Sequence, residues 1–306
     1  MDWLFLIFLL TILILFFFRI VRPRERKWLR AVELMKSHHF QEAYDILQIL
    51  SQDKYASLIG FSNDSRVMSR KAFCLLNLSD YKKAVEIYEC LIKKIPDNKK
   101  TKNWLAQIYF LKGAALVELN QYEAIVALDI SIKYKIDTRE VWYLKAGALE
   151  GLEKFPEAID CCDRALQYEP DDLRIYLFKA FILYELKDYQ NAAMLCDYVL
   201  QNQPENYLNW DLKAKILYAQ ENDREAIVSC DRALKCKQSC INSVIDSVYG
   251  KACCYARLKN TELALANLQR VQELAPQNYE AILNRNEEYF HIKHDKYFQE
   301  LLATLH

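Results

Sequence analysis

Glycine and proline are scarce, with five Gly and six Pro in 306 residues. No alternation of apolar and polar residues is sustained, so strands are excluded as the main element and the chain reads as almost all helix. An excess of charge of either sign is lacking too: 41 basic residues face 41 acidic ones, and without the basic stretch after residue 18 the rest is slightly acidic. Nothing would focus a polyanion, so no nucleic-acid partner is expected. Histidine is limited to His38, His39, His291, His294 and His306, away from the regular part of the chain. There is no Gly-rich phosphate loop and no H-E-x-x-H. His291, His294 and Asp295 could meet a metal on one helical face, or form a solvated terminal pair. Ten Cys are present but no C-x-x-C. Cys236 and Cys240 are four apart with no second ligand pair, so no metal and no cofactor is expected. This cysteine usage fits a reducing compartment.

What is present is a period. Trp142, Tyr176 and Trp210 are 34 residues apart, as are Lys145, Lys179 and Lys213, and Ala146, Ala180 and Ala214. Ala158, Ala192 and Ala226 keep the register, then Cys162, Cys196 and Cys230, then Asp163, Asp197 and Asp231. One helix-turn-helix unit is therefore stacked on copies of itself. With Arg139 as position one, Trp142, Ala146, Phe155, Ala158, Ala165 and Pro170 fall at positions 4, 8, 17, 20, 27 and 32. This pattern resembles the tetratricopeptide repeat (TPR). Small residues at positions 8 and 20 let two helices approach closely, and larger apolar residues fill the gaps. The Pro near each unit's end cannot continue a helix and breaks the chain before the next.

The same frame predicts repeats at 24–57, 65–98, 106–138, 139–172, 173–206, 207–240 and 245–278, the first degenerate. The third is one residue short between its helices, and 241–244 is an insertion. Residues 279–306 are expected to form C-terminal capping helices with a polar outer side. The resemblance implies an all-α fold: a right-handed α-solenoid of about seven TPR hairpins.

One transmembrane helix is expected before it. Trp3 to Phe18 is apolar but for Thr11, and Ile20 and Val21 extend the stretch past Arg19. Sixteen helical residues span about 24 Å, and a snorkelling Arg19 brings residues 3–21 near the roughly 30 Å of a hydrocarbon core. The acidic start and the Arg-rich flank, in place of a small-residue cleavage site, argue against a signal peptide. Residues 1–23 thus read as an anchor with a basic flank. Arg22, Arg24, Arg26, Lys27 and Arg30 place the repeats on the cytoplasmic side of a single-pass membrane protein.

Two sets of residues recur with the repeat. Position 7 is Lys71, Lys112, Lys145, Lys179 and Lys213, continued by Lys251; position 25 is Glu89, Asp129, Asp163, Asp197 and Asp231. This predicts a structural ion-pair ladder, each first-helix Lys reaching an acid on a second helix, its own or a neighbour's. The rival reading is a line of free ammonium groups that binds an acidic peptide. The other set comes from the resemblance, which implies that first-helix positions 2, 5, 9 and 12 line a concave groove. Trp28, Phe110, Tyr143, Leu177 and Tyr249 fall at position 5, Phe73 and Phe181 at position 9, and Tyr184 and Tyr218 at position 12. Such rings suit an extended or helical peptide, because they give contact area at low entropic cost. Inter-repeat packing competes for the same residues. Some TPR proteins hold the acidic tails of chaperones in a two-carboxylate clamp, but position 9 is Val32, Phe73 and Ala114 and position 6 is Leu29, Arg70 and Leu111, with no Asn where that clamp needs one. No chaperone-tail clamp is expected.

The reading is a non-enzymatic, membrane-anchored scaffold or adaptor that binds a protein or peptide partner in its groove on the cytoplasmic side. A homo-oligomeric assembly scaffold is the first alternative. A metal-dependent regulator or enzyme, of another class, would need a pocket with convergent titratable groups.

Overall fold

The computed structural model describes residues 21–52, 65–236 and 241–277, together with Tyr279, Lys296 and Ala303. Among the described residues there are fourteen α-helices and no strand. The predicted membrane segment, residues 3–21, lies outside them except for Val21, and the capping segment 279–306 except for the three single positions. No helix among the described residues is long and apolar enough to cross a membrane.

The chain divides into two compact units, residues 1–154 and 155–306. The first holds α1 (Arg22–Lys36), α2 (Phe40–Gln52), α3 (Ser65–Asn77), α4 (Tyr81–Lys94), α5 (Lys102–Glu118), α6 (Glu123–Lys133) and α7 (Arg139–Glu150). Each helix packs on its sequence neighbours, and the first helices of successive repeats also touch, α3 on α5 and α5 on α7. Apolar clusters follow one another along the chain: Ala31, Leu34, Leu47 and Val67, then Ala72, Tyr88, Leu91 and Leu105, then Leu116, Ala124 and Ala127. Each cluster joins residues of consecutive repeats or of one hairpin, so the unit has serial cores rather than a central one.

The second unit holds α8 (Phe155–Tyr168), α9 (Leu173–Glu185), α10 (Tyr189–Asn202), α11 (Tyr207–Ala219), α12 (Asp223–Lys235), α13 (Ile241–Arg257) and α14 (Thr261–Leu274). Neighbours pack in the same way, and α9 touches α11 as α11 touches α13. Ala180, Ala192, Cys196 and Ile216 form one cluster; a larger one runs from Leu217 through Ile245, Tyr249 and Leu268 to Tyr279.

The small residues do what their size suggests. Ala43, Ala84, Ala124, Ala158, Ala192, Ala226 and Ala264, all at position 20, have no exposed surface. At position 8 of the third repeat, Gly113 lets Leu128 come so close that a Cβ would lie 2.7 Å from the Leu128 side chain. The recurring Cys162, Cys196 and Cys230 are buried as small hydrophobes. Burial pushes each of these thiols up to about 12.

Every hairpin turns through the same device. At position 15, His38, Ser79, Asn120, Glu153, Lys187, Glu221 and Lys259 all take a positive φ, between 52° and 65°. Around Lys187, the Asp188 amide donates to the Leu183 carbonyl at 2.8 Å and the Lys187 amide to the Tyr184 carbonyl at 2.9 Å. This paired closure is a Schellman motif, which satisfies carbonyls left open at the helix end. The next residue caps the following helix in several repeats: Asp80, Asp188 and Asn260 accept from the backbone amides of Lys83, Asn191 and Leu263.

Two local expectations are refined. The four-residue insertion at 241–244 makes no loop; it lengthens α13, which runs 17 residues from Ile241. The residue missing from the third hairpin brings Tyr122 to the N-cap of α6, where the residue is 65% exposed, although aromatic residues at the same position elsewhere are half-buried.

Candidate functional site

The ladder residues meet across repeats. Lys112 Nζ lies 2.9 Å from Glu89, Lys145 2.6 Å from Asp129, Lys179 2.5 Å from Asp163, Lys213 2.8 Å from Asp197 and Lys251 2.7 Å from Asp231. In each case the acid belongs to the second helix of the preceding repeat. The lysine side chains are 13–20% exposed and the acids 45–54%. The stem therefore covers apolar surface while the ammonium reaches a carboxylate near water. Half-exposed pairs of this kind contribute about 0.2–1 kcal/mol each.

Lys71 departs from the pattern. The position corresponding to its acid is Gln48, and the Lys71 ammonium sits 5.4 Å from the centre of the Tyr44 ring. No carboxylate among the described residues pairs with it. The ladder thus has five rungs of one kind and a first lysine of another.

The predicted groove residues divide. In the first unit, Trp28, Phe73 and Phe110 are half-buried and Tyr143 is 39% exposed. Trp28 and Phe73 flank the first apolar cluster, where Phe73 meets Phe40 edge to face at 6.2 Å. In the second unit, Leu177, Phe181 and Tyr184 are half-buried against the cluster of Ala180, Ala192 and Cys196. Phe178 and Phe181 are stacked at 6.5 Å.

Tyr218 and Tyr249 are corrections to the groove set: they are 2% and 1% exposed and belong to the core. Tyr249 is enclosed by Val248, Ala252, Cys253 and Tyr279, and Tyr218 is covered by Arg257, whose guanidinium carbon lies 3.9 Å from the ring centre. Buried rings of this kind cannot present a face to a ligand. Burial raises the pKa of both phenols, because it penalises the phenolate.

Arg257 brings in a pair that the repeat pattern did not single out. Its Nε donates to both Asp223 carboxylate oxygens, at 2.9 and 2.8 Å, and its Nη2 donates to Asp223 and, at 2.7 Å, to the Tyr218 carbonyl. The Asp223 side chain is 6% exposed. Position 17, occupied by Phe40, Tyr81, Tyr122, Phe155 and Tyr189 in other repeats, is Asp223 in the sixth. The break in that aromatic series was the available signal.

Charges near the aromatic faces are paired locally. Arg139 bonds Glu140, Arg174 bonds Asp172, and Lys215 lies 3.3 Å from Asp211. Among the described residues, no cluster of three or more His, Cys, Asp or Glu is arranged to hold a metal.

Serial helical hairpins with one shared turn, buried small residues and exposed aromatic edges define a class: repeat scaffolds that present surfaces rather than enclose a pocket. The particular repeat follows from sequence. Residues 138–207 and 245–278 match family models of the tetratricopeptide repeat, so these stretches carry TPR repeats. Its fold is similar to that of a tetratricopeptide repeat protein from Parabacteroides merdae ATCC 43184, with a TM-score of 0.64, 11% identity and coverage of 88% of this chain and 99% of that one. It is also similar to the C-terminal part of a TPR repeat-containing protein from Cytophaga hutchinsonii (TM-score 0.60, 19% identity, 83% and 97% covered). MamA from Desulfovibrio magneticus RS-1, from residue 41 to its end, aligns with 58% of this chain and 93% of its own at a TM-score of 0.50 and 20% identity. At these identities the likeness establishes the fold alone. No curated protein matches the chain.

Proposed function

We propose that the chain is a membrane-anchored scaffold that captures a segment of a partner protein on the aromatic faces of its first helices. The observation that carries this reading is the set of half-exposed rings left after packing: Trp28, Phe73, Phe110 and Tyr143 in the first unit, Phe181 and Tyr184 in the second. Rings fixed by a core on one side and open on the other provide contact area with little entropy left to lose. Because neighbouring charges neutralise one another, affinity for such a segment comes from shape and apolar contact. The run at residues 3–21 would hold the scaffold in a membrane, and the arginines after it favour a cytoplasmic position for the repeats. No catalytic role is proposed.

A photo-crosslinking amino acid at Tyr143 or Phe181, in the full-length chain expressed in intact cells, tests the capture. Both positions are expected to trap the same partner, and an equivalent probe at the exposed second-helix Met194 is expected to trap none. Equal trapping from all three would overturn the reading. Alkaline carbonate extraction and protease accessibility of the repeats test the anchor and its orientation independently.

A further inference from the structure

The five complete rungs are an internal template for what this register accepts. Each lysine side chain, 13–20% exposed and set between two helices, holds one carboxylate oxygen at 2.5–2.9 Å through its ammonium. Lys71 occupies the same register position but faces the second helix of a repeat whose acid has become Gln48. The Gln48 Oε1 is buried and has no hydrogen-bond partner among the described residues. The Lys71 ammonium lies over the Tyr44 ring, with no carboxylate paired to it among the described residues, and burial lowers its pKa. A desolvated ammonium carries a free-energy cost that a carboxylate relieves, and the Gln48 oxygen, an acceptor, one that a donor such as a peptide N–H relieves.

The surrounding charge points to the sign of that ligand. Residues 21–83 contain 12 Lys and Arg against 7 Asp and Glu, a net of +5 in a chain whose total is zero. Phe73 lies two residues beyond Lys71 on α3, roughly 200° round the helix. The Lys71 site is therefore separate from the aromatic face and does not depend on its role.

We infer that Lys71 is a docking point for an acidic peptide, whose Asp or Glu side chain completes the rung between α2 and α3. A peptide is favoured over a membrane because the ammonium is recessed between helices. The internal carboxylates reach their rungs on side chains carried by a helix, whereas lipid headgroups are confined to a plane. The charge-assisted hydrogen bond to the incoming carboxylate is of the stronger class, and the net +5 end of the chain raises the encounter rate with an acidic segment.

The test uses the full-length chain in detergent micelles and a fluorescein-labelled peptide of alternating Glu and Ala, read by anisotropy. Lys71→Met is expected to weaken binding by roughly fivefold or more. Gln48→Glu is expected to weaken it to a similar extent while raising the melting temperature, because it supplies the rung with its own carboxylate. Lys145→Met, whose ammonium already holds Asp129, is expected to bind the peptide as the parent does. Undiminished binding by Gln48→Glu would overturn the proposal, as would equal losses in Lys145→Met and Lys71→Met. Lys71-dependent binding to phosphatidylserine vesicles without binding to the peptide would overturn it in favour of a lipid headgroup.

Discussion

Arg257, at the end of α13, sits over the Tyr218 ring and grips Asp223, the first residue of α12, through both carboxylate oxygens. The pair joins the sixth and seventh repeats, with Asp223 at the position where the first five repeats carry an aromatic ring. Replacing the ring by an ion pair exchanges apolar burial for a directional contact whose two halves depend on each other.

Removing one half is therefore the sensitive experiment. Asp223→Ala leaves a partly covered guanidinium without its carboxylate. Loss of one partner of a buried pair costs about 3–5 kcal/mol, and a quarter-exposed Arg257 side chain lowers this to about 2–4 kcal/mol. Asp223→Phe returns the ring that the first five repeats carry at position 17, Arg257→Leu removes the charge left without its carboxylate, and the double variant is expected to return most of that stability. Urea-denaturation midpoints of the single and double variants measure both effects. A midpoint for Asp223→Ala equal to the parent's would show that the pair does not hold the repeats together.

The ladder makes a second prediction, about coupling. Lys179 and Asp163 are 2.5 Å apart across two repeats, whereas Lys145 and Asp163 of one repeat hold different partners. Lys179→Ala and Asp163→Ala are each expected to cost about 0.5–1 kcal/mol, with a coupling of about 0.3–1 kcal/mol in the double-mutant cycle. A cycle on Lys145 and Asp163 is expected to give no coupling. The energy should fall with added salt, since the acids are half-exposed.

These two cases show how far the sequence reached. The period of 34 exposed the hairpins because every repeat meets the same neighbours, so the same small residue is needed at the same place. The ladder's members were legible for that reason, but their partners were not. Lys179 is 18 residues before Asp197 and 16 after Asp163, and only the packing of successive hairpins selects the second. Tyr218 and Tyr249 were misread as groove residues because periodicity fixes a face of a helix, not what covers it. Arg257 and Tyr279 cover them, and neither follows from the repeat. Asp223 could have been noticed as a gap in the aromatic series at position 17, yet its partner at Arg257, 34 residues on, breaks no recurring pattern.

The hairpin turns predict a gain of stability. Lys187 takes φ 65° and Glu153 φ 58° without being glycine. A side chain in the left-handed region costs roughly 1 kcal/mol, and glycine returns part of this through its freer unfolded state. Lys187→Gly and Glu153→Gly are each expected to stabilise by about 0.5–1 kcal/mol. The Schellman bonds are made by the backbone and stay in place. Replacing the same residues by Val, which is β-branched, should destabilise. Thermal melts of the four variants decide the matter, and a loss on going to Gly would mean that the side chain, not the backbone, holds the turn.

The buried thiols set the alkaline limit. Cys162, Cys196 and Cys230 ionise near 12 in the folded chain, against an ordinary value of 9.0, because burial penalises the thiolate. Between those values the unfolded chain has lost protons that the folded chain keeps, so stability falls as pH rises. The contribution is fully present below pH 9 and is lost as pH climbs from 9 towards 12. Each such thiol adds about 1.4 kcal/mol per pH unit to the slope in that window. Stability is therefore expected to be level with respect to these groups up to about pH 8 and to decline steeply above 9. Cys196→Ala keeps a small apolar side chain at the site and removes one proton from the balance. Its stability should start lower, because packing is lost, and then fall less steeply between pH 9 and 11. Measuring urea midpoints across that range compares the slopes directly; parallel slopes would mean that the Cys196 thiol ionises as readily in the folded chain as in the unfolded one.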